Sequence, residues 1–184
     1  MEDRRSEKAP QKSRYFELYD WWDCLVYSVL IVVLILSFGV RLIGVDGTSM
    51  VPTLQDQDRV LLRSAFYTPK AGDIVVFSKL SEPLVKRIVA TEGQIVDIDW
   101  DNGVVYVEGV AQYEPYVNEP TYKSGTVAFP VMVPSGCVFV MGDNRNRSTD
   151  SRWVEVGMVD TRHILGKVFF RIMPFSEFGL IANS

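Results

Sequence analysis

The fold is decided by residues 73–107, DIVVFSKLSEPLVKRIVATEGQIVDIDWDNGVVYV. Short runs rich in Val and Ile alternate with Pro, Gly and Asn, which is typical of β-strands joined by turns. The pattern predicts strands at 73–77, 84–90, 95–100 and 104–107, and Asn102-Gly103 is a hairpin-turn signal. Outward along the chain, similar runs predict further strands at 58–63, 127–133, 137–141 and 163–172. Residues 44–184 are therefore expected to form one mainly β domain.

The N-terminal side of this domain carries a long apolar block. Residues 24–40, CLVYSVLIVVLILSFGV, contain no charge, and apolar character continues to Ile43. A helix that crosses the hydrocarbon core needs about 17–25 such residues. A buried core helix would carry polar residues at helical period, and a cleaved secretory signal would have a shorter apolar region followed by an A-x-A-like site. We therefore predict a single transmembrane helix over residues 24–43.

The flanking charges predict the orientation of that helix. Residues 1–23 carry five Lys and Arg, whereas residues 41–60 carry two. Because basic flanks stay on the cytoplasmic side, residues 1–23 are predicted to be cytoplasmic and residues 44–184 extracytoplasmic. The predicted localisation is the cell membrane, with one span and with membrane lipid as a partner.

Composition excludes several classes of function. The net charge is −4, which lacks the basic excess of a nucleic-acid binder. One histidine, His163, excludes a multi-histidine zinc site, and two cysteines, Cys24 and Cys137, cannot form a disulfide scaffold. We predict no metal and no cofactor. Residues 108–125, rich in Tyr, Pro and Glu, are predicted to be irregular and carry no assigned role. Residues 173–184 also carry no assigned role.

A serine with a candidate base is the first chemical signal. Ser49 lies in GTSMVPTL, residues 47–54, where it is either a turn residue or a nucleophile that needs a base. His163 is one candidate base, although a surface or edge-strand histidine explains its context better. A lysine held neutral by burial is the other, since desolvation lowers a lysine pKa. Lys86 lies in the apolar run 84–90, where an edge-strand lysine is the alternative, and Lys167, which precedes another apolar stretch, stays open.

Residues 142–152, GDNRNRSTDSR, are the second chemical signal. They follow an apolar run and are either a solvated loop or a lattice of ion pairs. Asp143, Arg145, Asp150 and Arg152 mix both charges at short spacing, which favours ion pairs that brace neighbouring elements.

The order of these motifs resembles the type I signal peptidases, membrane-bound serine proteases that remove signal peptides. The resemblance covers residues 21–172, and the short length with one span is similar to the Gram-positive branch. The motifs that carry it are the predicted anchor and residues 49–54, 72–77, 86–90 and 142–152. It implies a single N-terminal transmembrane helix followed by an antiparallel β-rich catalytic domain of the signal-peptidase type.

The resemblance also implies residue roles. Ser49 matches the nucleophile, Lys86 the general base, and Ser148 the serine that orients the lysine amine. The residues that support the site by resemblance are Asp150 and Arg152, as an ion pair, and Asp143, Arg145 and Arg87, which tie the last motif to the lysine strand. The walls of the shallow substrate pockets match Val45, Met50, Leu54, Leu84 and Val85. Some relatives have a hydroxyl oxyanion donor two positions before the nucleophile, where this chain has Gly47.

The implied activity is a serine endopeptidase that cuts signal peptides after small residues at Ala-x-Ala-like sites, through an acyl-enzyme. Its implied partners are signal-peptide-bearing preproteins, near the secretion translocon.

Two alternatives stay open. The self-cleaving SOS repressors share serine–lysine chemistry but are soluble and bind DNA, and a membrane-tethered binding module would need neither Ser49 nor Lys86. A strongly lowered pKa of Lys86 would favour the enzyme.

Overall fold

The computed structural model describes residues 14–65, 67–79 and 82–181, with backbone alone for 14–18 and 35–38. Residues 1–13 of the predicted cytoplasmic segment lie outside the described residues. The chain divides into two compact units, 1–38 and 39–184.

The first unit contains helix α1, Arg14–Phe38. Its described side chains, residues 19–34, are all exposed, and most are apolar. Among the residues that the structure describes, no helix combines the length and the apolar character that a membrane crossing requires. The predicted helix boundary at Ile43 is wrong, because strand β1, Val40–Gly44, begins two residues after α1 and pairs with strand β2, Arg59–Arg63. The apolar residues at 40–43 belong to a sheet, where Ile43 packs against the core.

The second unit is mainly antiparallel β-structure, as the sequence predicts. After β1, the strands are β2 Arg59–Arg63, β3 Ile74–Ser78, β4 Pro83–Thr91, β5 Ile95–Asp99, β6 Val104–Val107, β7 Val110–Ala111, β8 Val131–Met132, β9 Cys137–Met141, β10 Val159–Asp160, β11 Ile164–Met173 and β12 Gly179–Leu180. One sheet has the order β1-β2-β11-β3-β4-β9-β10, with β12 paired to β11, and a smaller sheet has the order β7-β6-β5-β8.

The strand predicted at 127–133 is the largest error within this unit. Only β8 forms there, because Pro130 and Pro134 bracket it and lack the N–H that a ladder needs. Three apolar clusters fill the unit. Two consist mainly of residues of the first sheet, and the third joins residues of the first sheet with those of the small sheet.

Strand β4 carries Lys86, and the two halves of this strand pair with different neighbouring strands. Residues 83–87 pair with β3, whereas residues 87–91 pair mainly with β9 on the other side. Among the described residues, the second edge of 83–86 has no strand partner, and neither has the outer edge of β1. Two unpaired strand edges therefore border the region around Lys86.

Candidate active site

Ser49 lies in a turn between β1 and β2. Gly47 precedes it with φ +87°, a conformation that glycine adopts without strain. The N–H of Leu54 donates to the carbonyl of Met50 over 2.9 Å, so residues 50 and 54 face the same side of the turn. Ser49 itself is half-buried.

Lys86 reaches this serine from β4. Its Nζ lies 2.8 Å from Ser49 Oγ and 2.9 Å from the carbonyl oxygen of Val85. Only 3% of the residue is exposed, and burial lowers the pKa of Lys86 from 10.5 to about 8. The carboxylates of Asp150 and Asp143 partly oppose that shift, because negative charge favours the ammonium. A buried amine with this pKa is available as a base in mildly alkaline solution.

Two of the predicted ion pairs form inside the domain. Asp150 binds Arg152 with both oxygens, at 2.8 and 2.9 Å, and both side chains are fully buried. Asp143 likewise binds Arg87 with both oxygens, at 2.9 and 2.7 Å, and also accepts from Thr53 Oγ1 at 2.5 Å. Residues 142–152 are therefore a lattice of buried pairs and not a solvated loop. The Asp143–Arg87 pair ties the last motif to the lysine strand, as the resemblance implies.

Arg145 has a partner that the sequence does not indicate. Its guanidinium is 1% exposed and binds both oxygens of Glu114, each at 2.6 Å. The same guanidinium donates to Thr121 Oγ1 at 3.1 Å. Residues 108–125, which had no assigned role, therefore supply the counter-ion of a motif residue. No spacing rule connects Glu114 with Arg145, since 31 residues separate them.

Ser148 does not make its expected hydrogen bond in this structure. Its Oγ is buried and has no hydrogen-bond partner among the described residues, whereas Lys86 Nζ bonds to Ser49 and Val85. Space around this hydroxyl is tight, and only glycine fits at position 142, because a Cβ there would overlap both Ser148 Oγ and the carbonyl oxygen of Ser49. The hydroxyl of Ser148 thus lies against the same glycine as the backbone of the candidate nucleophile.

Asn144 is a site residue that the sequence analysis missed. Its backbone N–H donates to the carbonyl of Ser49 at 3.0 Å, and its side-chain amide donates to the carbonyl of Thr48 at 3.0 Å. Asn144 lies within the quoted motif 142–152, but the sequence does not distinguish its polar side chain from the other polar side chains of that motif.

A groove of about 470 Å³ runs between the unpaired edges of β1 and β4 and ends at Ser49 and Lys86. Three predicted pocket residues, Val45, Leu84 and Val85, line it. Met50 and Leu54 do not: they are 1% and 0% exposed and belong to the core. The turn that aims Ser49 at the groove directs these two side chains inward, and their place in the pocket walls stays a prediction.

His163 lies in the short 3₁₀ turn Thr161–His163, where its side chain is exposed. Lys86, and not His163, is the basic group at hydrogen-bond distance from Ser49. Within the described residues, no group of three or more His, Cys, Asp or Glu is arranged to hold a metal ion. The cysteines Cys24 and Cys137 are both free.

The chain is similar to known proteins in sequence and in structure. The family model described as "Signal peptidase, peptidase S26" matches residues 18–173. A probable signal peptidase I-1 of Synechocystis sp. is 36% identical, with 86% of this chain and 85% of that protein covered. Signal peptidase I of Bacillus licheniformis is 34% identical, with 93% and 96% covered. A crystal structure of a signal peptidase I from Enterococcus faecalis is 27% identical and covers 56% of this chain and 98% of that chain, with a TM-score of 0.48.

The chain is thus a serine endopeptidase, in agreement with a serine hydroxyl that contacts a buried amine in a groove. The extent of the sequence matches shows that it belongs to the signal peptidase family, peptidase S26, with signal peptidase I as its type. The resemblance recognised from the motifs is confirmed.

Proposed function

We propose that this protein cleaves signal peptides from secreted preproteins after small residues, with Ser49 as nucleophile and neutral Lys86 as general base. Cleavage of signal peptides is the activity that the family supports. The observation that carries the finer proposal is the 2.8 Å contact between Ser49 Oγ and the buried Lys86 Nζ. A free serine is a weak nucleophile and needs such a partner.

The proposed reaction has two halves. The neutral amine of Lys86 takes the proton of Ser49 Oγ as that oxygen attacks the scissile carbonyl, and Lys86 then gives the proton to the departing amine. An acyl-enzyme on Ser49 remains. Lys86, neutral again, takes a proton from the water that attacks the ester. It then gives this proton to Ser49 Oγ as the ester bond breaks, and the new carboxylic acid ionises in solvent. The lowered pKa supports this scheme because it leaves a useful fraction of Lys86 unprotonated near neutral pH.

The oxyanion requires donors other than a side chain at position 47, where Gly47 has none. We assign the backbone N–H of Ser49 as one donor. The turn is held in place for this role by Asn144, which binds the carbonyl oxygens of Thr48 and Ser49. Removing one oxyanion donor from a serine protease costs on the order of 10²–10³ in kcat, so accurate placement of this turn matters.

Substrate selection is proposed to occur in the groove between β1 and β4. An extended peptide has two unpaired strand edges with which to form backbone hydrogen bonds there. Val45, Leu84 and Val85 form apolar walls that fit small side chains and exclude larger ones by shape. This arrangement supports Ala-x-Ala-like sites as substrates.

The supporting residues are assigned by what they touch. Asp143 with Arg87, and Asp150 with Arg152, hold the 142–152 loop by ion pairs. Ser148 has a free buried hydroxyl, which we propose receives a hydrogen bond from the Lys86 ammonium after proton transfer.

We also propose that the chain is anchored in the cell membrane through residues 24–40, with the N-terminus cytoplasmic and the catalytic unit outside. The uncharged sequence of these residues and the exposed apolar side chains of α1 support the anchor. The five Lys and Arg of residues 1–23, against two in residues 41–60, support the orientation. Membrane lipid, preproteins and the neighbourhood of the secretion translocon are the partners that follow.

The test is cleavage of a preprotein with an Ala-x-Ala site by the full chain in detergent micelles, with the product mass read out. We expect the wild type to cut after the second Ala, and Ser49→Ala and Lys86→Ala not to cut. Equal cutting by Lys86→Ala would return His163 as the base. If no folded form cuts, the tethered binding module replaces the enzyme. Arg162→Gln, at an exposed pair with Asp160, is the matched control and should cut normally.

A further inference from the structure

Residues 112–123, here called the bracing segment, connect the small sheet with the loop that faces Ser49. Asn146 accepts from the backbone N–H groups of Tyr122 and Lys123, at 3.0 and 2.9 Å, and donates to the carbonyl of Pro120. Arg152 donates to the carbonyl of Lys123 at 2.9 Å. An irregular segment with this many bonds to one loop is part of that loop's support.

Glu114 is the charged centre of the bracing segment. Its side chain is 9% exposed, and its two oxygens take both terminal nitrogens of Arg145. Tyr116 donates to Glu114 over 3.0 Å, and its ring lies 3.8 Å from the guanidinium of Arg87, the residue next to Lys86. One carboxylate is therefore connected with both the 142–152 loop and the lysine strand.

From Arg145 the contacts continue to the nucleophile. Arg145 Nε donates to the carbonyl of Gly142 at 3.2 Å, which fixes the start of the loop. Gly142 packs on the carbonyl oxygen of Ser49, and the same oxygen accepts from the N–H of Asn144. The orientation of Arg145 thus determines where the loop meets the backbone of Ser49.

We propose that Glu114 is a positioning residue for the reaction: by holding Arg145 it presses the 142–144 turn against the carbonyl of Ser49 and so aims the nucleophile. This inference rests on the proposed function. Without the carboxylate, the buried guanidinium of Arg145 has no counter-ion and must move toward water or toward Asp143. The loop would move with it, whereas the groove walls formed by Val45, Leu84 and Val85 make no contact of this network.

The expected effect is therefore on turnover and not on substrate binding. A displacement of about 1 Å at a reacting group costs on the order of 10²-fold in rate. For Glu114→Gln we expect kcat to fall on the order of 10–100-fold, with KM within about twofold of the wild type. The matched control is Glu119→Gln, the same change at an exposed position of the same segment, which should keep the wild-type kcat.

A double-mutant cycle tests whether Glu114 acts through Arg145. We expect Arg145→Met to lower kcat by a similar factor, and Glu114→Gln to add little in the double variant. The double variant contains no unpaired buried guanidinium, so it decides the question if Glu114→Gln alone does not fold.

The outcomes separate the two proposals. A wild-type chain that does not cut preprotein contradicts the proposed function and this inference together. Cutting by the wild type with unchanged kcat in folded Glu114→Gln, or in the double variant, contradicts this inference alone. A lowered melting temperature with unchanged kcat also overturns it, because that result assigns Glu114 a purely structural role.

Discussion

Two lysines lie at the same register position on neighbouring strands of the larger sheet, and they differ in burial and in the group that each contacts. Lys86 on β4 and Lys167 on β11 are both cross-strand partners of Val75 on β3. Lys167 pairs with the carboxylate of Asp73 at 2.6 Å and keeps 22% of its side chain exposed. Lys86 is 3% exposed and contacts the hydroxyl of Ser49.

The difference shows that sheet position does not make a lysine a base. Lys167 has a carboxylate partner, whereas Lys86 is buried without an adjacent one, and burial lowers the pKa of Lys86. The carboxylates nearest to Lys86 in its environment, Asp143 and Asp150, are already bound by arginines with both oxygens. The arginines of the site thus help to keep Lys86 reactive by occupying its potential partners.

The largest expected contrast is in turnover. Lys86→Met should lower kcat/KM for a preprotein by at least about 10³-fold, since a positioned base contributes about 10²–10⁴ and no second base contacts Ser49 among the described residues. Lys167→Met, the matched change across Val75, should stay within about threefold of the wild type. Rates of preprotein cleavage in micelles measure both. A comparable loss in the two variants would show that the register position in the sheet, and not the burial and the partner of the lysine, determines its effect on turnover.

The next contrast is in pH dependence. Because the pKa of Lys86 is about 8, the neutral fraction of the amine rises nearly 100-fold between pH 6 and pH 9. We expect kcat/KM to rise over this range with an apparent pKa near 8, and the same profile in Lys167→Met. A pH–rate profile on a substrate without ionisable groups near the cut provides the measurement. A midpoint near 6.5 would instead indicate a histidine and contradict the lysine base.

The sequence could identify the strand of Lys86 but not fully separate it from Lys167. Both lysines adjoin apolar runs, and the carboxylate that binds Lys167 belongs to Asp73, 94 residues away. The role of Glu114 escaped prediction for the same reason, since its contact with Arg145 depends on long-range packing. By contrast, the strands at 73–77 and 104–107 followed from local apolar runs and turn residues. Residues 40–44 show the limit of such runs, because an apolar stretch at a helix end and an edge strand look alike.

The smallest expected contrast is in stability, where the two variants should move in opposite directions. Burial lowers the pKa of Lys86 in the folded protein to about 8, whereas the pKa of a lysine in the unfolded chain is near 10.5. Keeping a protonated Lys86 buried therefore costs folding free energy. The unfolded chain therefore binds more protons between pH 8 and 10.5, so this cost is fully present below pH 8 and disappears as pH rises to 10.5. At pH 7, Lys86→Met should raise the free energy of unfolding by about 3 kcal/mol, because each unit by which burial lowers the pKa of Lys86 costs about 1.4 kcal/mol. Lys167→Met should lower it by about 1 kcal/mol, because Asp73 loses a charged partner but keeps its bonds from Tyr67 and the Lys70 N–H.

Urea unfolding of the full chain in micelles at pH 7 and pH 10.5 measures both effects. The gain from Lys86→Met should largely vanish at pH 10.5, because the wild-type amine is then neutral in the folded state at little cost. A gain that is equal at the two pH values would mean that Met simply packs better than Lys at this position. In that case the reactivity of Lys86 would have to come from its contact with Ser49 alone, and the contrast with Lys167 would be one of partner and not of burial.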